Sequence, residues 1–573
     1  MSAKKPIYVL GTGLSHDGSS CILKDGEIIV AIEKERLSRL KHDGGNDYLT
    51  VEYCLNAAGI SVNDLALVVQ VANFEKDNIY PTSFRGKRLF DDNCVVPFVT
   101  ISHHLAHAYS AVGTSPFETS NVMVIDGCGS PYAHCEDLDH AIIPQDVNAI
   151  PGLFGEKDSY YHFDGKQLIS LYKDFSIISL YDNKYPVHLP TSKHSIGGFY
   201  SMVSGYCFGN MDDAGKLMGL APYGRDGVYT EDIFLLKDGR VFVREEVLAL
   251  FTQPMDSLHR PLKENFQYYA DIAKWVQQEL ERAVLYIFKQ RRSLQKNTNI
   301  CYAGGVALNA VCNTKIVHEL GLDNFYVEPA AGDNGLALGC AFYGWIETLK
   351  QPKKTHNKST AFGKIYETNE IIVAIEQFQQ NNKTVQFNFG FYDDYINKTA
   401  AYLADGKVIG WFQQGAEFGP RALGFRSILA DPRKPQIQYF INNNIKFRED
   451  FRPFAPAVLK EKVNEYFEYG HESPYMIMID KIKPNWKKIL SGIVHVDGTC
   501  RVQTVTADWN KHFHELISAF QSITNIAVLL NTSFNRKGMP IVETPYEAID
   551  FFFQCKLDVL VINNCIITKQ PND

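Results

Sequence analysis

No two of the twelve cysteines stand in a CxxC pair, and they are scattered through apolar stretches such as "ALGCAF". That argues against a disulfide framework or a zinc ribbon, and the cysteines read as reduced core residues of a cytoplasmic protein. No apolar run approaches the length of a membrane span. The opening "MSAKKPIYVLGTG" passes from two lysines into a short strand, without a signal peptide's apolar segment and cleavage site. Positive charge is in deficit: 57 Lys and Arg against 65 Asp and Glu leave a net charge of −8, which disfavours a nucleic-acid backbone as partner. No short-period repeat is present, so the chain is not a solenoid. With 45% hydrophobic and 21% charged residues the composition is neither disordered nor fibrous. At 573 residues the chain is too long for one core, and length alone suggests roughly three or four domain-sized units.

What is present alternates strand and turn. "PIYVLGTG", "SSCILKDG" and "EIIVAIEKER" follow one another, and the Asp-Gly of "KDGE" marks a tight hairpin. "SNVMVIDGCGS" reads as a buried strand ending in an acidic residue and a glycine turn. Residues 263–292 carry helical periodicity. "NICYAGGVALNAVCNTKIVHEL" and "FYVEPAAGDNGLALGCAFYGWI" each read as strand, turn and helix. The lysine-rich "KQPKKTHNKST" at 350–360 looks like an interdomain connection, beyond which a second α/β unit begins. Two hairpins followed by two glycine-turn strands are the pattern of nucleotide-clamping domains of the actin, sugar-kinase and heat-shock type. Asp126-Gly127 and Gly304-Gly305 suit turns whose backbone N–H groups cradle phosphate. Singly, each is also an ordinary turn.

"ISHHLAHAYSA" concentrates three of the chain's 17 histidines at 103, 104 and 107. On a helix His103 and His107 share one face, which gives a two-point grip on a metal ion. A histidine-rich helix end with no ligand fits this stretch equally well, and His104 can replace His103 by spacing alone. Asp126 and Asp333, each read at the end of a strand, would complete a set of two imidazoles and two carboxylates suited to iron, manganese or zinc. A zinc protease fits poorly, since HHLAH lacks the glutamate of HExxH.

The second unit concentrates Arg421, Arg426, Arg433, Lys434, Lys446, Arg448 and Arg452, against Asp431, Glu449 and Asp450. A solvated charged face is the ordinary reading of such a run. Here the charges alternate with the turn sequences "GPRALG" and "RPFAP", which favours a clamp of fixed guanidinium forks on polyphosphate. Lys446 and Arg448, two apart, are expected on one side of a strand. Ser533 and Asn535 repeat that spacing in "NTSFN" and offer hydroxyl and amide contacts.

At this point the residues resemble a known family. "HDGSS", "AIEKERLSRLKHDG", "HHLAHAYSA", "GKLMGLAPYG", "AGGVALN", "GDNG", "EFGPRALGFRSILADPR", "IKFREDFRPFAP" and "NTSFN" occur in the order of the NodU/CmcH O-carbamoyltransferases, nearly end to end. The resemblance implies an α/β chain of two parts. Residues 1–352 would form an actin/heat-shock-like (ASKHA) domain of duplicated ribonuclease-H-like units, and residues 361–573 a YrdC-like α/β domain. The first part is similar to the threonylcarbamoyl-transfer proteins of tRNA modification, which makes His103, His107, Asp126 and Asp333 the metal ligands, with iron as the first choice. The second would form carbamoyl-adenylate from ATP, with its magnesium, and carbamoyl phosphate. Its Lys-x-Arg and Ser-x-Asn pairs map onto Lys446/Arg448 and Ser533/Asn535, joined by Arg421, Arg452 and Arg501.

The first part would then pass the carbamoyl group to a hydroxyl of a small molecule, a natural product or sugar-like compound, in secondary metabolism such as antibiotic biosynthesis. Gly127, Gly304, Gly305 and Asn309 are expected at the nucleotide, and His16, in "SHDGSS", is the candidate base. A homodimer follows by family analogy, with neither nucleic acid nor membrane as partner. The chain departs from the family at "EKER", where an acidic triplet is common, and Lys34 is expected to be a surface change. It departs again at Gln414 and Gly415, where Gly-Arg is common, and this is expected to alter a contact to carbamoyl phosphate. The segment after Asp126, "GCGSPYAHCEDLDH", is divergent and is expected to shape the acceptor pocket. A sugar-type kinase is the alternative enzyme, and a tRNA-modification protein the alternative of another class.

Overall fold

The computed structural model describes residues 5–44, 47–71, 96–145, 154–178, 192–252 and 262–570. The chain forms two compact units: Met1–Lys34 with His42–His356, and Glu35–Lys41 with Asn357–Asp573. The change from one unit to the other at His356/Asn357 falls inside the lysine-rich 350–360 segment. That the short Glu35–Lys41 stretch goes with the second unit has no sign in the sequence.

The first unit opens with β1 (Tyr8–Gly13), β2 (Ser19–Lys24) and β3 (Glu27–Glu33), followed by β4 (Leu65–Val71) and β5 (Phe98–Ile101). Between β2 and β3 the loop is Asp25-Gly26, both with positive φ (50° and 85°), which matches the right-handed twist of the strands it joins. The sheet order is β3-β2-β1-β4-β5; β1–β2 and β2–β3 are antiparallel, β1–β4 and β4–β5 parallel.

A second sheet begins with β6 (Ser120–Ile125), β7 (Phe154–Phe163) and β8 (Leu168–Ile177). A separate hairpin of β9 (Phe234–Lys237) and β10 (Arg240–Val243) follows, then β11 (Asn299–Ala303) and β12 (Asn324–Val327). The second sheet runs β8-β7-β6-β11-β12, with β6–β7 and β7–β8 antiparallel, β6–β11 and β11–β12 parallel. It repeats the first sheet strand for strand. Central β6, "SNVMVI", is buried at every position, as a strand covered on both faces requires.

In each repeat the last strand leads into a helix: His103–Thr114 after β5, and Leu336–Tyr343 after β12. The two helices pack on each other. A Cβ at Gly339 would lie 1.7 Å from the Ala106 carbonyl oxygen, so this backbone approach admits only glycine there. The periodic 263–292 stretch forms a helix over Phe266–Arg291, lined with buried apolar residues.

The second unit contains β13 (Phe387–Phe391), β14 (Ile409–Phe412), β15 (Arg426–Ala430), β16 (Ala455–Leu459), β17 (Ile479–Lys481), β18 (Thr499–Arg501), β19 (Gln503–Val505), β20 (Val528–Ser533), β21 (Val559–Ile562) and β22 (Cys565–Lys569). Eight of them form one mixed sheet, β13-β22-β21-β14-β15-β20-β16-β19, while β17 and β18 pair separately. Helices Tyr395–Ala404 and Lys511–Thr524 pack together, as do Thr368–Asn381 and Pro545–Gln554. Trp411, Phe412, Phe513 and Phe552 are fully buried in the resulting core.

Every described cysteine is a free thiol, all but Cys128 buried. Among the described residues no helix is long and apolar enough to cross a membrane.

Candidate functional site

Two constellations stand out, one in each unit. In the first, the His103–Thr114 helix starts directly after β5, and its leading N–H groups are taken by groups from elsewhere. His103 N donates to Ser130 Oγ (2.9 Å) and His104 N to the Glu156 carboxylate (3.1 Å). The same carboxylate accepts from Ser130 N (2.9 Å) and from the Lys173 ammonium, and Lys173 also pairs with Asp137 (2.7 Å). Asp137 in turn accepts from Ser102 Oγ (3.0 Å). Ser130 and Asp137 come from the divergent segment after Asp126, so part of that segment anchors the histidine helix. Lys173 and Glu156 are both fully buried. Removing one partner of such a pair strands the other charge, so Lys173→Met is expected to cost about 3–5 kcal/mol. Urea unfolding followed by fluorescence checks this; an unshifted midpoint would show that the pair carries no such load.

The anchored helix directs His103 and His107 to one point. Their Nε2 atoms lie 3.0 Å apart, with Asp126 Oδ2 at 3.1 and 4.0 Å and Asp333 Oδ1 at 3.3 and 3.7 Å from His103 and His107 respectively. One ligand atom from each of the four residues falls within 4.8 Å of the others, and all four residues are buried. Burial by itself would raise both carboxyl groups, but the facing imidazoles overcome it and hold Asp126 and Asp333 below the usual carboxylate range. Burial likewise opposes protonation of His103, yet Asp333 and Asp126 push it up to about 10. Two ring nitrogens and two carboxylate oxygens converging in a dry site form a donor set for a divalent cation, and their mixed N/O character suits iron, manganese or zinc.

His104 is turned away, its Nδ1 2.8 Å from Ser159 Oγ, and burial drives it down to about 3. The choice between His103 and His104, open by spacing, is made by packing against β7. Asp126 directly follows β6 as expected. Asp333 does not end a strand: β12 stops at Val327, and Asp333 opens a 3₁₀ turn six residues later. The intervening "EPAAG" carries the chain away from the sheet before the turn. Two outer contacts hold these ligands: Gly305 N, in the turn expected at the nucleotide, donates to Asp126 Oδ1 (2.9 Å), and Ser15 Oγ, not singled out in the sequence, donates to Asp333 Oδ2. Such outer contacts fix ligand orientation.

His16 Nδ1 lies 3.0 Å from Asp333 Oδ2, and its Nε2 lies 3.6 Å from Asp17. Burial pulls its pKa down, but Asp17 and Asp333 more than reverse this and raise it well above the ordinary value. Gly127 and Gly304-Gly305 follow neighbouring strands β6 and β11, the carboxyl-end position where open α/β sheets bind ligands. Asn309 is engaged internally: it caps the Ala310–Leu320 helix through Cys312 N (3.0 Å) and exchanges two hydrogen bonds with Gln277.

Lys34 corrects the expectation of a surface change. It is buried, with its ammonium 2.9 Å from Asp43 and donating to Gly44 O at 2.6 Å. A loop nine and ten residues further on supplies the partners that let the charge be buried.

In the second unit the basic run divides. Arg426 is fully buried, donates to the carbonyls of Gln413 (2.8 Å) and Gln414 (3.1 Å), and stacks on Phe412. Arg433 forms a two-pronged pair with Asp431. Both are structural. Arg421, Lys446, Arg448 and Arg452 from the run converge with Arg501, while Lys434 is not among them; their mutual repulsion shifts the ionisation of Arg421, Lys446, Arg448 and Arg501. Burial, then Arg452, lowers Arg421 to about 10. Burial first and the neighbouring cations second hold Lys446, Arg448 and Arg501 well below their usual values. Glu449, beside Arg448, opposes this repulsion. The Nε atoms of Arg421 and Arg501 are buried without a hydrogen-bond partner.

The two spaced pairs meet. Lys446 Nζ donates to Ser533 O (2.6 Å), Ser533 Oγ (3.0 Å) and Asn535 Oδ1 (2.6 Å). Lys446 and Arg448 are not on a strand, however. Lys446 closes a helical turn over Asn442–Lys446, and Phe447, with φ of 49°, swings Arg448 into a loop held by Asn442 Oδ1 (2.7 Å). A spacing of two does not by itself determine backbone conformation. Lys41, from the short segment that belongs to this unit, also acts on Lys446. Nothing in its sequence context marked it.

Two family models cover most of the chain. The carbamoyltransferase N-terminus matches residues 9–85 and 72–342, and the carbamoyltransferase C-terminus residues 400–569. An uncharacterized protein of Synechocystis is 31% identical over 98% of this chain and 97% of its own length. The nodulation protein NolNO of Sinorhizobium fredii is 31% identical over 97% of this chain and 79% of its own. The 3'-hydroxymethylcephem-O-carbamoyltransferase of Streptomyces clavuligerus is 25% identical, covering 91% and 92% of the two chains. With both halves matched in order, the chain belongs to the carbamoyltransferase family.

Proposed function

We propose that this protein is an ATP-dependent O-carbamoyltransferase working in two stages, one per unit. The observation that carries the reading is the group of five cations, Arg421, Lys446, Arg448, Arg452 and Arg501, near enough to repel one another, with Glu449 beside Arg448 as a partial counterweight. Such a group calls for a ligand of several negative charges, and fixed guanidinium forks suit phosphate oxygens. In this YrdC-like unit, carbamoyl phosphate gives up its phosphate to water. An oxygen of the resulting carbamate attacks the α-phosphorus of magnesium-bound ATP, and pyrophosphate leaves. Ser533 and Asn535 keep the Lys446 ammonium aimed while the arginines hold the phosphates.

The first unit, read as an actin/heat-shock-like domain on the strength of its duplicated sheets, performs the transfer. Gly127, Gly304 and Gly305 cradle the nucleotide, and Asn309 shapes that side of the pocket from its helix cap. A divalent ion held by His103, His107, Asp126 and Asp333, iron in the first instance, supplies Lewis-acid polarisation of the carbonyl when bound. His16 in its neutral form, the minor form near neutral pH given its raised pKa, takes the proton from the acceptor hydroxyl as its oxygen bonds to the carbamoyl carbon. The carbon–oxygen bond to AMP breaks, and AMP departs with the electron pair. The acceptor is a small natural-product or sugar-like compound.

Incubation with ATP, carbamoyl phosphate and a metabolite extract is expected to give a mass gain of one carbamoyl group, with AMP and pyrophosphate released. A sugar-type kinase is the second reading, favoured by the duplicated sheets taken alone. ADP with no carbamoylated product would select it.

A further inference from the structure

Lys34 lies immediately after β3, and its side chain is 5% exposed. Both of its polar contacts go to one loop, Asp43 Oδ1 at 2.9 Å and Gly44 O at 2.6 Å. The backbone stitches that loop to the turn bearing His16, through Gly18 N to Asp43 O (3.0 Å) and Lys34 N to Gly18 O (2.7 Å). Gly44 rests directly on the turn: a Cβ there would lie 2.0 Å from Ser15 O and 2.8 Å from the His16 Cα. At the head of the loop His42 binds Asp17 through Nδ1 (2.9 Å). Its ring lies parallel to that of His16, with centroids 6.3 Å apart and planes 11° apart.

We propose that Lys34 is a positioning residue for His16, its buried ammonium clamping the His42–Gly44 loop onto the Ser15–Gly18 turn. The inference rests on the reading of His16 as the transfer base. Burying an ammonium is tolerated only while its partners stay in place, so the loop cannot lift without leaving Lys34 unpaired. With the loop down, Asp17 and His42 border one side of the imidazole and Asp333 the other. The ring is thereby fixed with Nδ1 toward Asp333 and Nε2 on the Asp17 side, 3.6 Å from that carboxylate, where it would meet the acceptor.

The full-length protein is compared with Lys34→Met, Lys34→Arg and the reversed pair Lys34→Asp/Asp43→Lys. Two quantities are read: AMP release from synthetic carbamoyl-adenylate with glycerol as the hydroxyl acceptor, and carbethoxylation of His16 by diethyl pyrocarbonate, resolved by peptide mass. Methionine keeps the bulk and removes the pull. Lys34→Met is expected to lower kcat by about 10- to 100-fold, leave KM for the adenylate within about twofold, and alter His16 labelling by about threefold or more. Lys34→Arg and the reversed pair should recover most of both.

Native rate and native labelling in Lys34→Met would overturn the proposal. So would a loss that Lys34→Arg fails to recover and that tracks a lowered unfolding midpoint, since Lys34 would then merely support the fold. His16→Ala is the reference for the reading beneath it. Native AMP release there removes His16 as the base, and the labelling result then decides alone whether Lys34 positions its ring.

Discussion

Alanine at Lys446 or at Arg448 is expected to abolish carbamate- and ATP-dependent exchange of pyrophosphate into ATP. Each change removes a charged contact in a water-poor site, which costs on the order of 2–4 kcal/mol of transition-state stabilisation, or roughly 30- to 1,000-fold in rate. Lys446→Ala should be the more severe, because Ser533 and Asn535 lose the group that organises them. Carbamoyl-adenylate supplied from outside should restore product in both variants, since the proposed transfer residues belong to the other unit. His16→Ala should behave in reverse, with exchange intact and no carbamate ester formed. Full exchange in Lys446→Ala together with lost exchange in His16→Ala would reverse the division of labour.

Removing a ligand is expected to remove the metal. His107→Ala and Asp333→Ala should each bring metal content, measured by elemental mass spectrometry after dialysis, close to background. Pyrophosphate exchange should persist in both. A metal held only by the folded protein also stabilises it, by about 2.7 kcal/mol at a free concentration 100 times the dissociation constant. Chelation should therefore lower the unfolding midpoint of the native protein and leave that of His107→Ala unmoved. Native metal content in both variants would remove the four residues as the ligand set.

The HHLAH spacing is legible without any structure, because a four-residue interval on a helix stacks two side chains. Which pair of histidines faces inward is not legible. It depends on Ser159 and Glu156 of β7 engaging His104, a contact between residues more than fifty positions apart. The clamp shows the same division. Lys446 and Arg448 drew attention through their type and spacing, but the strand inferred from that spacing is a helical turn followed by a left-handed residue. Arg501 has no local signal, and its place among the cations comes from tertiary packing. Lys34 misled for a physical reason. A lysine among acidic residues reads as solvated, and only the returning loop supplies the two oxygens that allow its burial. Individual strands and glycine turns are legible, but the duplication is implied only by the family resemblance, and the identical order of the two sheets is apparent only from the pairing.

That duplication gives the candidate metal site an internal symmetry. His16 follows β1 as Asp126 follows β6, and the helix bearing His103 and His107 follows β5 as the turn bearing Asp333 follows β12. The nitrogen donors come from the first repeat and the oxygen donors from the second, so neither half holds a complete set. The arrangement resembles a two-fold dimer folded into one chain, with donors from the two repeats brought together at one point. A cation bound there acts as cement between the halves. The two repeats also meet where Gly339 crosses Ala106, beside His107 in the helix that carries both histidines, so a side chain introduced at position 339 would press on that helix and not on any of the four donors directly.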